Sequence, residues 1–195
     1  MQSVSGRTFS VLHFFDAANN RSEMIGSVKD CAGELHPPNV VLYPDAFDGV
    51  KADLRYTYRL GSFEQDVIIK ERVALPDGFA PDTTRLEVWT EFIEHPAATL
   101  TQRGRAGMVD DSIDFGAFRT SAGKAFLLGD ETNSKRSAPV VKRWLTIAGR
   151  TFLVESVRYN REARTRQAAR AQWASGTEAT EGKCTVPVHD ILGED

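Results

Sequence analysis

Apolar and polar residues alternate with a period of two along most of this chain, and a β-strand is the regular element in which that period sorts side chains onto opposite faces. In TRLEVWTEF, residues 84–92, Leu86, Val88 and Phe92 share one face with Thr84 and Thr90, while Arg85, Glu87, Trp89 and Glu91 take the other. Similar runs occur at RTFSVLHFF, NVVLY, VKADLRYTYRL, FEQDVIIKERV, SIDFGAF, KAFLLG, VVKRWLTI and RTFLVESVRY, divided by clusters of Gly, Pro, Asn and Asp. Short strands at such spacing imply a mainly β, antiparallel, sandwich-like fold.

Two hairpins can be written with a register. Gly61-Ser62 between alternating runs suits a two-residue turn, which sets Leu60 opposite Phe63, Tyr56 opposite Val67 and Leu54 opposite Ile69. The other face then pairs Arg59 with Glu64, Thr57 with Asp66 and Asp53 with Lys70, so Glu64 and Asp66 are expected on a solvated, salt-paired face. Ala148-Gly149 makes the second turn, with Leu145 against Phe152, Trp144 against Leu153 and Lys142 against Glu155; a type I turn with a glycine bulge would shift that register. A third turn is expected from Thr120 to Gly123. GRTFSV at 6–11 nearly recurs as GRTFLV at 149–154, but the flanks do not match, so the same turn-to-strand solution is used twice.

After Tyr159 the pattern changes. NREARTRQAARAQWA is rich in helix formers, with Asn160 as a cap and Gly176 as a stop, and predicts one C-terminal α-helix. Trp173 is its only large apolar residue, so the expected organisation is a β-rich core domain over 1–159 and a peripheral helix and tail over 160–195, in which TVPVHDIL docks as a short edge strand.

A chain of 195 residues with 41% hydrophobic and 26% charged residues folds around one core. No apolar stretch is long enough to span a bilayer as a helix. Cys31 and Cys184 could form one disulfide, closing a long loop for about 4 to 5 kcal/mol, or remain two free thiols. His13, His36, His95 and His189 are dispersed, so neither a metal site nor a cofactor is expected.

Catalytic motifs find little support. SAGK at 121–124 has the S-x-x-K spacing of penicillin-recognising enzymes, but it sits in a predicted turn without the companion elements. DFG at 114–116 lacks the loops that accompany the kinase triplet. Asp53, Glu64, Asp66, Glu87 and Glu91 could supply the carboxylate pair of a polysaccharide hydrolase, the first alternative function.

The second alternative is a polyanion-binding module. Net charge is −3, yet residues 135–170 are strongly basic, with Lys142, Arg143, Arg161, Arg164 and Arg170 as candidate contacts. The helical arginines spread around the wheel, so nucleic acid is not the expected partner. Tyr58, Trp89 and Trp144 are candidate ligand-contact aromatics.

Two stretches carry a resemblance. They are NVVLYPDAFDGVKADLRYTYRLGSFEQDVIIKERVALPDGFAPDTTRLEVWTEF, with its YPDAF, Asp-x-Arg-Tyr, FEQDV and TTRLEVWTEF segments, and VVKRWLTIAGRTFLVESVRY. Over about half the chain, these resemble an uncharacterised β-rich module of very large secreted or surface bacterial proteins, some with YD/RHS-type repeats or lamin-G-like modules. The resemblance implies export, a β-rich fold and a noncatalytic structural or adhesion role beside adjoining modules or a surface glycan; it carries no catalytic residues. The chain starts at Met1 without a signal or neighbouring modules, so the expectation is a fragment or a pruned copy.

Overall fold

A computed structural model describes residues 10–60, 62–127, 137–159 and 171–179, the last as backbone only. The strands in chain order are β1 (Ser10–Asp16), β2 (Arg21–Val28), β3 (Glu34–His36), β4 (Val40–Tyr43), β5 (Phe47–Asp48), β6 (Ala52–Arg59), β7 (Ser62–Ile69) and β8 (Thr84–Phe92). They continue as β9 (Thr99–Arg105), β10 (Met108–Asp114), β11 (Phe118–Thr120), β12 (Gly123–Leu127), β13 (Ala138–Ile147), β14 (Arg150–Arg158) and β15 (Ala171–Ala179).

Every pairing is antiparallel. One sheet runs β13-β14-β8-β1-β2-β5, the other β3-β4-β6-β7-β15-β12-β13, with β11, β10 and β9 extending outward from β15. Strand β13 belongs to both: Ala138 and Val140 pair with β12, and from Val141 to Ile147 it pairs with β14. The sheets therefore curl around one interior as a half-barrel, and the sandwich-like expectation holds.

Alternation fills that interior. Leu12 and Phe14 of β1, Leu86 and Val88 of β8 and Val157 of β14 meet Ala52, Leu54 and Tyr56 of β6, Val67 and Ile69 of β7, and Val140. Each large side chain moved from water contributes about 1.5–3 kcal/mol. Phe79 and Phe47 are buried in the same cluster, and Tyr43 stands edge-on to Tyr56 at 6.1 Å between ring centroids. Gly49 has φ +83°, and a Cβ there would lie 2.5 Å from the Ile25 carbonyl oxygen, so only glycine lets the chain pass β2 at this point. A smaller cluster gathers Ile113, Phe115 and Leu153 with Phe92, Phe118 and Trp144.

The hairpin at Ala148-Gly149 has the expected register, with Lys142 opposite Glu155, Trp144 opposite Leu153 and Leu145 opposite Phe152. Ala148 and Gly149 have φ of 50° and 78°, the double left-handed geometry that continues strand twist through two residues. In the β6-β7 hairpin Leu54 faces Val67 rather than Ile69, and Arg59 faces Ser62. The connection comes one residue earlier than expected, which leaves Leu60 fully exposed outside the strands. Partners move by two residues, and because side chains alternate with a period of two, the faces do not change.

The turn expected from Thr120 to Gly123 is absent. The chain reverses instead between Asp114 and Arg119, and β11 and β12 lie in line along one edge of β15. Thr120 pairs with Thr177 and Lys124 with Ala174, so one extra residue bulges between the two segments. The expected helix at 160–174 falls largely outside the described residues; residues 171–179 form β15, inside the sheet between β7 and β12, where both flanking edges need backbone partners. Cys184 and the segment 185–192 expected as an edge strand also lie outside the described residues, and Cys31 forms no disulfide among them.

Candidate binding face

Because Leu86 and Val88 point into the core, Arg85, Glu87, Trp89 and Glu91 of β8 project from the opposite face of the sheet. Register places their neighbours. Glu87 lies between Ser156 of β14 and His13 of β1, Trp89 between Val154 and Val11, and Glu91 beside Phe152. The result is an outward face with Trp89 near its centre.

Glu87 is buried although it projects outward. Its Oε1 accepts from the Ser156 hydroxyl at 3.0 Å, and its Oε2 accepts from Trp89 Nε1 at 3.0 Å. Arg85 Nε lies 3.6 Å from Oε1. A carboxylate below the surface thus fixes the indole that covers it. His13 and Phe152 flank Trp89 at ring-centroid distances of 5.8 and 5.7 Å. His13 Nδ1 shares a hydrogen bond with Ser22 Oγ at 2.9 Å, and burial holds the imidazole below its ordinary pKa despite the nearby Glu87 charge.

Two guanidinium groups cover the remaining rings. Arg150 lies 5.2 Å above the Phe152 centroid and donates through Nε and Nη2 to both oxygens of Glu91, at 2.6 and 2.5 Å. Those bonds hold Glu91 below its ordinary pKa and raise that of Arg150. Arg85 lies 4.7 Å above Phe15.

The other outward carboxylates belong to the opposite sheet. Arg59 meets Glu64 at 2.5 Å, Arg55 meets Asp66 at 2.7 Å and Lys70 meets Asp53 at 2.5 Å. The Arg59–Glu64 and Lys70–Asp53 pairs expected as direct neighbours form on the diagonal, while Arg55 replaces Thr57 opposite Asp66. Asp66 is only 1% exposed, so the solvated half of that expectation is corrected: this acid is interior and charge-paired.

A third group of charges lies where β10 crosses the free edge of β13. Asp110 Oδ1 accepts the backbone N–H of Lys142 at 2.9 Å, and Asp111 Oδ2 accepts that of Trp144 at 2.8 Å. Arg103 Nε stands 3.4 Å from Asp110, Arg143 Nε 3.4 Å from Asp111, and Gln102 donates to Asp111 at 2.9 Å. Lys142 is 1% exposed and its ammonium donates to the Ser121 carbonyl at 2.6 Å. Burial lowers its pKa, against the opposing pull of Glu155 and Asp110.

These placements sort the residues singled out from sequence. Lys142 is inside the fold, which removes it from any polyanion surface, and Arg143 is tied to Asp111. Arg161, Arg164 and Arg170 lie outside the described residues. Trp144 is partly buried and packs against Phe92, His95 and Phe115 at 5.0, 5.1 and 5.5 Å, at the side of the smaller cluster. Tyr58 is exposed beside the β6-β7 connection, and Trp89 alone of the three stands at the centre of an outward aromatic face.

Sequence reasoning missed Asp110 and Asp111. Their signal was two adjacent acids inside a short strand, MVDDSID, where alternation cannot place both in solvent. Among the described residues no three His, Cys, Asp or Glu side chains are placed to hold a metal ion, and no helix is long and apolar enough to cross a membrane. Compared with protein-family models, with curated proteins and with solved structures, the chain matches none.

Proposed function

We propose that this chain is a noncatalytic structural and adhesion module of a secreted or cell-surface bacterial protein, set beside further modules or bound to a surface glycan. One observation carries the reading: each candidate carboxylate projecting from the two sheets is already engaged by a basic or hydrogen-bonding group of the protein itself. Asp53 and Glu64 meet Lys70 and Arg59, interior Asp66 meets Arg55, and Glu87 and Glu91 of β8 meet Ser156 and Arg150. Hydrolysis of a glycosidic bond needs two carboxyl groups within about 10 Å facing one sugar. Here each acid instead carries a basic or hydrogen-bonding partner from an adjacent strand, a use of charge that sets register and rigidity.

Retention on a panel of immobilised cell-wall polysaccharides, with release of reducing ends followed on the same samples, tests this. Retention without release supports it. Release that disappears in Glu87→Gln or Asp66→Asn variants of unchanged fold overturns it in favour of a hydrolase.

A further inference from the structure

We infer that the indole of Trp89 is the stacking platform for a neutral pyranose ring, and that Glu87 is the positioning residue that fixes it. The inference rests on the adhesion reading and gives that reading a ligand class and a place.

Three features of the outward face lead there. First, Trp89 has its only polar atom occupied, because Nε1 donates inward to a buried carboxylate that Ser156 holds in turn. What the residue offers a ligand is its ring, in one orientation set before binding. Second, the neighbouring phenylalanines are already covered, Phe152 by Arg150 and Phe15 by Arg85, whereas no guanidinium lies over Trp89 among the described residues. Third, the charges that flank the indole are paired locally, with Arg150 bound through two nitrogens to Glu91 and Arg85 beside Glu87, while Arg158, opposite Arg85, stands four positions along β8 at the far end of the face.

That third feature selects the ligand. A polyanion lying over the indole would have to displace Glu91 from Arg150, giving up a bidentate pair to form a similar one. A purely apolar partner would bury the rim charges without satisfying their remaining hydrogen-bonding capacity. A neutral pyranose does neither: its axial C–H face lies on an indole, and its equatorial hydroxyls can donate to Glu91 and accept from Arg150 without separating them.

Calorimetric titration of the intact chain with cellohexaose, mannohexaose and an oligogalacturonate tests the inference. A neutral hexamer should bind with an affinity that changes little with added salt. Trp89→Ala should weaken it by about tenfold or more, which is about 1.4 kcal/mol, and Trp89→Phe should recover part of the loss. Glu87→Gln should weaken binding less and shift the tryptophan emission, while thermal melts of the Trp89 variants confirm the fold. Unchanged affinity in Trp89→Ala overturns the inference, as does salt-sensitive preference for the oligogalacturonate. Retention on cell-wall polymer without binding of either neutral hexamer also overturns it, while leaving the adhesion reading intact; reducing-end release would remove the adhesion reading itself.

Discussion

Asp110 stands where a neighbouring strand would stand for Lys142: its Oδ1 accepts the Lys142 backbone N–H at 2.9 Å, on the edge of β13 that turns away from β14. Asp111 does the same for Trp144 two residues on. A buried amide left unpaired costs as much as a lost hydrogen bond, and these two carboxylates remove that cost where β13 passes from one sheet to the other. Asp110→Ala orphans the amide and leaves Arg103 and Arg105 without their acid, so a loss of about 3–5 kcal/mol is expected in urea unfolding. Asp110→Asn keeps an acceptor for the amide and should cost less; an equal cost would show that charge, not the backbone bond, is what matters.

Ala106 and Ala148 sit at exposed two-residue turns with φ of 51° and 50°, each followed by a glycine of positive φ. An L-residue with a Cβ is strained in this region, whereas asparagine tolerates it. Ala148→Asn and Ala106→Asn are each expected to raise stability, by up to about 1 kcal/mol. Gly149→Ala should lower it by about 1–2 kcal/mol. Denaturant midpoints at constant slope measure all three.

Asp16 gives stability an acid limit. Its carboxylate accepts from the Thr83 hydroxyl, the Ala18 and Ala80 amides and the Asn19 side chain, fastening the end of β1 to the loop before β8. The Thr83 bond contributes most to lowering its pKa from an ordinary 3.8 to about 2. Since the folded value lies below the unfolded one, this contribution is complete above the unfolded value and is lost as pH falls from there through about 2. Asp16→Asn should reduce the slope of stability against pH in that window, and an unchanged slope would remove Asp16 as its source.

Leu12 is fully buried between the sheets, opposite Val88. Leu12→Ala is expected to cost about 2–5 kcal/mol, and the value within that range reports how far the two sheets can close over the gap. A thermal melt compared with that of the exposed control Leu60→Ala, expected to be near neutral, separates the core effect from a general one.

Alternation made the strands and faces readable because it depends only on which side chains leave water. The Ala148-Gly149 register was legible for the same reason, since two residues fix both the turn and the pairing. Partner choice in the β6-β7 hairpin was less so: moving Leu54 from Ile69 to Val67 preserves the same buried set, and the hydrophobic pattern cannot distinguish the two. The reversal between Asp114 and Arg119 was hidden because the glycine-bearing stretch before Gly123 looks equally suited to a turn, and only pairing with β15 decides against it. Burial of Glu87 and Lys142 could not be read locally, because Ser156 and Ser121 reach them from other parts of the chain, and the Asp66 partner was missed because the shifted hairpin pairing puts Arg55 opposite it. The outward aromatic face was half visible: Trp89 could be singled out, but not the carboxylate that steers it.

The shared strand β13 has a mechanical consequence. Two leaves joined only by side-chain packing can slide or part under a pull, whereas here one unbroken backbone enters one leaf at Ala138 and leaves the other at Ile147. Tension on either leaf is passed to its fellow through covalent bonds, so separating them means tearing rows of paired amides rather than merely wetting an oily seam.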